Sequence, residues 1–583
     1  MSIFRKLRWF FIQEKKRYMI GVAGLIIVAI FQVFPPRIIG IIIDEIDTST
    51  VNFQRIALWV SLLIGSGAAQ YVFRYIWRTN IWGGAALLEK HLRQRLFNHF
   101  TKMDAVFYQE HRTGDLMAHA TNDLTAIQNV AGSGILTFAD SFITGGATVV
   151  AMILFVDWRL TLIALLPLPL LALMSKILGE KLHDAFRDAQ ESFSRINDKA
   201  QESITGMKVL KTFGLEQADV QDFGKKIDYA IAKNKRVNFL DALFDPMITI
   251  IVGFSYVAAI VVGGMFIMRG ILSIGQLVSF ISYIAMLIWP MFAIGRLFNV
   301  LERGNASYDR VAELLGKQTA IVEKAESIQE SAKGELAFAI DTFQYPDEPT
   351  PILQNVAFEM KDGQTIGIVG KTGAGKTTML KLLMREYDDY RGSIVFGGHD
   401  IKDYSLHALL DSIGYIPQDH FLFSTTILEN IRFADPTLPQ ETVEHAAALA
   451  AIDQDIREMP NGYDTLVGER GVSLSGGQKQ RISIARALIV QPELLILDDA
   501  LSAVDAKTEE AILSNIRSSR SGKSTIIAAH RLSSVMHADE ILVLDQGEII
   551  ERGTHDELLK QHGWYQRMWE RQQLEAKIEG GES

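Results

Sequence analysis

Residues 365–369 form a short apolar run, Thr-Ile-Gly-Ile-Val. Gly370-Lys371-Thr372-Gly373-Ala374-Gly375-Lys376-Thr377-Thr378 follows directly. A strand running into G-x-x-x-x-G-K-[ST] is the pattern of a phosphate cradle. Glycines let backbone N–H groups wrap an oxyanion, and the helix behind adds its positive N-terminal end. Lys376 is suited to the β- and γ-phosphates and the Thr377 hydroxyl to Mg²⁺. A second apolar run, residues 494–497, ends in Asp498-Asp499. A carboxylate at the end of such a strand is what a nucleotide-binding domain presents to Mg²⁺, and Asp498 takes that place through water.

Twenty residues ahead of that second strand stands Leu474-Ser475-Gly476-Gly477-Gln478. This LSGGQ resembles the signature of ABC-type ATPases, and little else carries it together with the two strand motifs. The resemblance implies ATP and Mg²⁺ as ligands and extends residue by residue. Gly370, Thr372, Gly373, Gly375, Lys376, Thr377 and Thr378 match the phosphate loop. Tyr345, in Phe343-Gln344-Tyr345-Pro346, matches the adenine-stacking ring. Gln418 matches the glutamine that contacts Mg²⁺ and the attacking water, so the implied metal contacts are Thr377, Gln418 and Asp498. His530, after a predicted strand at 524–528, matches the switch histidine at the γ-phosphate. Residues 468–471 resemble the loop that feels the partner's coupling helix, and residues 502–505 the D-loop that reaches across a dimer. In the family, each ATP lies between one chain's phosphate loop and the other chain's signature. Ser475, Gly476, Gly477 and Gln478 are therefore expected to serve a partner's nucleotide.

Asp499 departs from the pattern, which has glutamate as the base that positions water. Aspartate is one methylene shorter, so its carboxylate falls back by about 1.5 Å. A misplacement of about 1 Å can cost ~10²-fold in rate. This substitution beside an intact LSGGQ resembles the degenerate-site subunit of bacterial heterodimeric multidrug exporters.

The elements that must position these residues follow from composition. In 583 residues, 48% are hydrophobic and the mean hydropathy is +0.14, with the apolar excess in the first half. There are no cysteines, so disulfides, zinc–thiolate sites and a cysteine nucleophile are excluded. A net charge of −10 argues against a nucleic-acid partner. Apolar stretches long enough for a bilayer recur at 19–43, 56–73, 135–156, 160–175, 247–268 and 271–295. The first is interrupted by Pro35-Pro36-Arg37 and the fourth carries Pro167 and Pro169.

Lysine and arginine number 6 in residues 1–17, 7 in 74–134 and 12 in 176–246, whereas the opposite side has only Arg55, Arg159 and Arg269. The amino end and the soluble half are therefore expected in the cytoplasm, with the spans in a bacterial plasma (inner) membrane. Residues 1–17 read as an amphipathic helix, with Trp9, Phe10 and Phe11 dipping into lipid. The two long inner connections read as helices projecting from the membrane. Near their turns, residues 107–116 and 202–211 resemble the coupling helices of ABC exporters.

The expected fold is a polytopic α-helical membrane domain of six transmembrane helices (type IV exporter) at 1–316, a linker at 317–334, an α/β P-loop ABC ATPase at 335–572 and a frayed tail at 573–583. The resemblance implies an ATP-driven exporter half-transporter, a second half-transporter as partner, and a small amphipathic substrate drawn from the lipid bilayer. Charges at Arg37, Asp140, Asp241, Asp245 and Arg296 fall within or beside the spans; each reads either as an ion pair or headgroup-level residue, or as facing a cavity. Such a cavity, part acidic and lined by Phe280, Tyr283, Trp289 and Phe292, would suit cations. The rival readings are a homodimeric lipid or drug flippase with a working Asp499, and an ATP-gated channel or regulatory subunit.

Overall fold

The computed structural model describes residues 2–50, 52–167, 169–346, 348–468 and 474–580. Two compact units make up the chain. One comprises residues 1–102 and 112–317, the other residues 103–111 and 318–583.

The first unit is helical throughout. Its principal helices are α1 (Lys15–Asp47), α2 (Phe53–Phe100), α3 (Ile135–Phe155), α4 (Trp158–Leu165), α5 (Pro169–Thr205), α6 (Glu216–Ala242), α7 (Phe244–Met268) and α8 (Ile274–Gly316). Among the described residues, five helical stretches of this unit are long and apolar enough to cross a membrane. The fourth expected span is different. Its apolar helix, α4, is short and ends at Leu165, and α5 begins at Pro169.

Helix α1 runs unbroken through Pro35 and Pro36. Proline removes the N–H that would bond the carbonyl four residues back, and the Phe31 carbonyl so freed accepts from Gln70 Nε2 at 3.3 Å. Next to the prolines, the Pro36 carbonyl accepts from Ser279 Oγ at 2.8 Å and that of Val33 from the Tyr283 hydroxyl at 2.9 Å. Neighbouring helices thus satisfy the disturbed backbone, as hydrocarbon surroundings require. Farther along α1, Gly40 meets Gly275 of α8 so closely that a Cβ on Gly275 would lie 1.9 Å from the Gly40 carbonyl oxygen. There Asp44 accepts from the Gly275 N–H at 2.8 Å and from Ser273 Oγ at 2.6 Å, placing a carboxylate on the N-terminus of α8.

Three sequence expectations change. Phe10 is fully buried in protein, edge-on to Tyr18 and His91, and so packs inward rather than into lipid, while half-buried Trp9 lies beneath the Arg95 guanidinium. The tail expected to fray is helical as far as Gly580. The first inner turn separates from the membrane helices and joins the second unit. Its short helix, Ala105–Glu110, is capped by Asp104, which accepts from the Phe107 N–H at 3.0 Å. Asp104 also accepts from Thr319 Oγ1 at 2.8 Å and from the Ala320 N–H. Val106 packs against the unit's core. Burial opposes ionisation of Asp104, but the bonds from Phe107, Thr319, Ala320 and Ile321 outweigh it and hold its carboxyl below the ordinary value.

The second unit holds two sheets. The strands are β1 (Leu336–Phe343), β2 (Leu353–Met360), β3 (Thr365–Gly370), β4 (Arg391–Phe396), β5 (His399–Asp400), β6 (Ile413–Ile416), β7 (Leu494–Asp498), β8 (Ser524–Ala528), β9 (Glu540–Asp545) and β10 (Glu548–Gly553). Strands β2-β1-β4-β5 form an antiparallel sheet. The other sheet has the order β10-β9-β3-β8-β7-β6, parallel except for β10. Strands β3, β7 and β8 are buried almost throughout, which explains their continuous apolar runs.

Candidate active site

Parallel strands end on a common edge, where open α/β sheets bind ligands. Ile368 of β3, Ala528 of β8 and Asp498 of β7 stand side by side in register. The phosphate loop after β3, Asp499 after β7, His530 after β8 and Gln418 after β6 therefore all leave the sheet at one edge.

The loop's glycines are required by its backbone. Gly370 has φ +155°, and a Cβ there would lie 2.2 Å from the Leu544 carbonyl oxygen. Gly375 has φ +101°, and its Cβ would lie 2.7 Å from Leu353. Helix α9 (Lys376–Leu383) starts at once. Lys376 curls into the loop, donating to the carbonyls of Gly370 (2.9 Å) and Lys371 (3.1 Å). Burial lowers the pKa of its ammonium, against the attraction of Asp499 and Asp498. Thr377 Oγ1 donates to Asp498 at 3.1 Å, and Tyr415 donates its hydroxyl to the other carboxylate oxygen at 3.2 Å. Burial raises the Asp498 pKa in spite of these bonds. A hydroxyl and a buried carboxylate so close are hard oxygen donors that fit Mg²⁺. Tyr345 reaches the same place: its hydroxyl shares a 3.0 Å hydrogen bond with Thr378, and its ring sits edge-on to Phe343 and Tyr387.

Asp499 holds a left-handed backbone, φ +47°, a conformation that aspartate tolerates better than most residues. Its N–H donates to the Ala528 carbonyl at 2.8 Å. Gln418 and His530 are solvent-exposed, and neither side chain bonds another described residue. Gln572 brackets the histidine instead, accepting from the Leu532 N–H and donating to the His530 carbonyl, both at 2.9 Å.

The signature residues sit elsewhere. Ser475 caps α10 (Gly476–Leu488) in a reciprocal box with Gln478. Gln478 reaches Asp455 at 3.4 Å, and Arg481 holds the same carboxylate. Among the described residues, none of Ser475, Gly476, Gly477 and Gln478 bonds a phosphate-loop residue. Of residues 468–471, Glu469, Arg470 and Gly471 lie outside the described residues.

Sequence reasoning missed Tyr415, Gln480 and Gln572. Gln480, whose Oε1 accepts from the Ala503 N–H at 3.0 Å, and Gln572 act through contacts distant in sequence, so no local spacing marks them. Tyr415 is visible only once β6 is seen beside β7.

The chain matches the family described as ABC transporter transmembrane region over residues 18–291 and that described as ABC transporter over residues 353–502. It is 44% identical over 580 residues to the “Probable multidrug resistance ABC transporter ATP-binding/permease protein YheI” of Bacillus subtilis (strain 168), covering 100% of this chain and 99% of that one. The chain belongs to the ABC transporter family. This ABC transporter is also 43% identical to the “Multidrug resistance-like ATP-binding protein MdlA” of Escherichia coli (strain K12), covering 99% of this chain and 98% of the relative. A solved structure of a bacterial Atm1-family ABC exporter with ATP bound superposes with a TM-score of 0.76 at 27% identity, covering 97% of this chain and 98% of that one. The fold is thus the type IV exporter fold, a helical membrane domain fused to an ABC ATPase, and the transporter is a multi-span membrane protein whose ATPase drives export.

The membrane unit of this ABC transporter contains a cavity of about 660 Å³. Asp140 and Trp289 line it, as expected from the sequence, together with Arg74 and Arg78. Those of the other expected residues whose side chains are described do not. Phe280 and Tyr283 are fully buried in the helix core. Arg37 donates to the Phe155 carbonyl at 3.3 Å and lies over its ring. Asp241 and Asp245 are exposed elsewhere. The Phe292 and Arg296 side chains lie outside the described residues.

Proposed function

We propose that this chain is the degenerate-site half of a heterodimeric exporter that moves amphipathic and hydrophobic compounds out of a bacterial cell across the plasma membrane. The observation carrying the proposal is Asp498-Asp499 beside an intact LSGGQ. The Asp499 amide is bonded to β8 at 2.8 Å, which anchors the strand end from which the shorter carboxylate projects. The names of the multidrug relatives support the cargo class.

In this reading Lys376, Thr377, Thr378 and the loop amides of Gly370, Thr372, Gly373 and Gly375 bind the phosphates, and Tyr345 receives adenine. Thr377, Gln418 and Asp498 would hold Mg²⁺, which would supply positive charge against the phosphates. Asp499, Gln418 and His530 orient water and γ-phosphate weakly in this chain's own site. Ser475, Gly476, Gly477 and Gln478 donate to the ATP on the partner chain, the preorganised-donor role that most lowers a charged barrier. ATP closes the two cytoplasmic ATPase domains and turns the cavity outward; hydrolysis at the partner's site resets it. Residues 103–111, bonded to the linker through Asp104, carry that motion to the helices.

Initial ATPase rates of the purified chain, alone and with its cognate half, test this. Little activity alone and a large gain on pairing are expected. Vigorous cooperative hydrolysis by the pure homodimer would overturn the proposal.

A further inference from the structure

We infer that the cavity of the membrane unit selects amphiphiles with an anionic phosphate- or sulfate-like headgroup, held by Arg74 and Arg78. For its biological meaning this rests on the export reading; the binding itself can be measured without it.

Tyr71, Arg74, Tyr75 and Arg78 all line the cavity. Their spacing of i, i+3, i+4 and i+7 puts them on one face of α2. Depth fixes what that face meets. Arg74 lies 21 positions into a helix that starts at Phe53. At 1.5 Å per residue that is about 32 Å, close to the ~30 Å thickness of the hydrocarbon layer. The guanidinium groups therefore stand at headgroup level, one turn apart, with the aromatic and apolar walls of Val28, Met286 and Trp289 available to a tail.

Charge sets the sign of the head. At headgroup level a guanidinium stays charged and is available to an anionic group. Arg37 has protein partners, whereas neither Arg74 nor Arg78 makes a hydrogen bond, ion pair or ring contact with a described residue. Among the described residues lining the cavity the one carboxylate, Asp140, already accepts from Thr144 Oγ1 at 2.8 Å. Two unpartnered cations against one hydrogen-bonded anion favour an anionic head. Phosphate and sulfate oxygens match the forked donors of arginine. The volume lies within the ~300–1,000 Å³ of small-molecule sites.

The test uses the complete transporter, this chain with its partner half, in nanodiscs of phosphatidylcholine. Three probes share one dodecyl tail: dodecyl phosphate, dodecyl trimethylammonium and dodecyl maltoside. Binding is followed by tryptophan fluorescence. Dodecyl phosphate should bind at least roughly tenfold tighter than the ammonium probe, the scale of one or two charge-assisted hydrogen bonds. Arg74→Gln with Arg78→Gln should abolish that preference and leave the maltoside unchanged. Arg74→Lys with Arg78→Lys should keep most of it, and Asp140→Asn should strengthen phosphate binding. Ammonium binding as tight as phosphate binding in the wild type overturns the inference, as does equal loss of all three probes in the Gln variant.

ATP-driven accumulation of the same probes in inverted vesicles separates cargo from a resident lipid. Selective binding without accumulation of any probe keeps the anion site and overturns the export reading. Accumulation of all three without phosphate preference does the reverse.

Discussion

The backbone N–H of Ala503 donates to Oε1 of Gln480 at 3.0 Å, fixing the segment after Asp499 to the helix that carries LSGGQ. Gln480 is fully buried, and a Cβ on neighbouring Gly477 would come 3.0 Å from the Ala503 carbonyl oxygen. What happens after one chain's Asp499 is thereby tied to the loop expected to face the other chain's nucleotide.

Gln480→Ala should cut that tie. Losing one partner of a buried hydrogen bond costs about 1–3 kcal/mol, so the ATPase unit should melt a few degrees lower. ATPase turnover of the paired complex should fall further than its ATP affinity. Calorimetry and nucleotide titration together check this; unchanged turnover would remove the coupling role.

Two lesions in this chain should differ sharply. Ser475→Ala or Gly477→Asp should reduce turnover of the complex by ~10²-fold or more, the cost of one lost preorganised donor. Asp499→Asn should change it by less than about threefold. Initial ATPase rates decide between them. Comparable collapse in both would mean that Asp499 is a working base.

Lys376→Ala should weaken ATP binding at this chain's own site and leave the partner's site occupied. The ammonium also bridges the Gly370 and Lys371 carbonyls, so the empty loop should loosen as well. Labelled ATP stoichiometry on the purified complex should drop from two to one. An unchanged ratio and affinity would count against the phosphate-loop role.

The motifs that are legible in the sequence are those whose partners lie nearby along the chain. Strand β3, the loop glycines and Lys376 occupy twelve consecutive residues, and the Ser475–Gln478 capping box spans four. The membrane cavity is less readable. Phe280, Tyr283 and Trp289 are alike in composition, and only helix packing buries the first two and leaves Trp289 on the cavity wall. Arg74 and Arg78 were readable only as inner-side positive charge, because their direction depends on how α2 is rotated against its neighbours. The Phe10 error has the same origin. Amphipathicity predicts that a face is covered, and the protein rather than the lipid covers it.

Asp104→Ala should uncouple rather than inactivate. It removes the cap of the first inner turn, worth about 0.5–2 kcal/mol, and the strap to Thr319. Basal ATPase should persist while its stimulation by amphiphiles falls several-fold. The sign of the acid dependence follows from the lowered carboxyl pKa. The charge-dependent part of the attachment is fully present above about pH 4, the ordinary aspartate value, and is lost only as pH falls through the lower folded value. Asp104→Asn should lack that acid step, which fluorescence-monitored unfolding between pH 2 and 5 would show.

The contact of Gly40 with Gly275, held by Asp44, leaves no room for a side chain between the first and last spans at that end. A side chain at either glycine would collide with backbone or carboxylate atoms. That end of the seam is therefore closed to side chains, and a pair of spin labels placed across it should report a longer distance in Gly275→Leu than in the wild type.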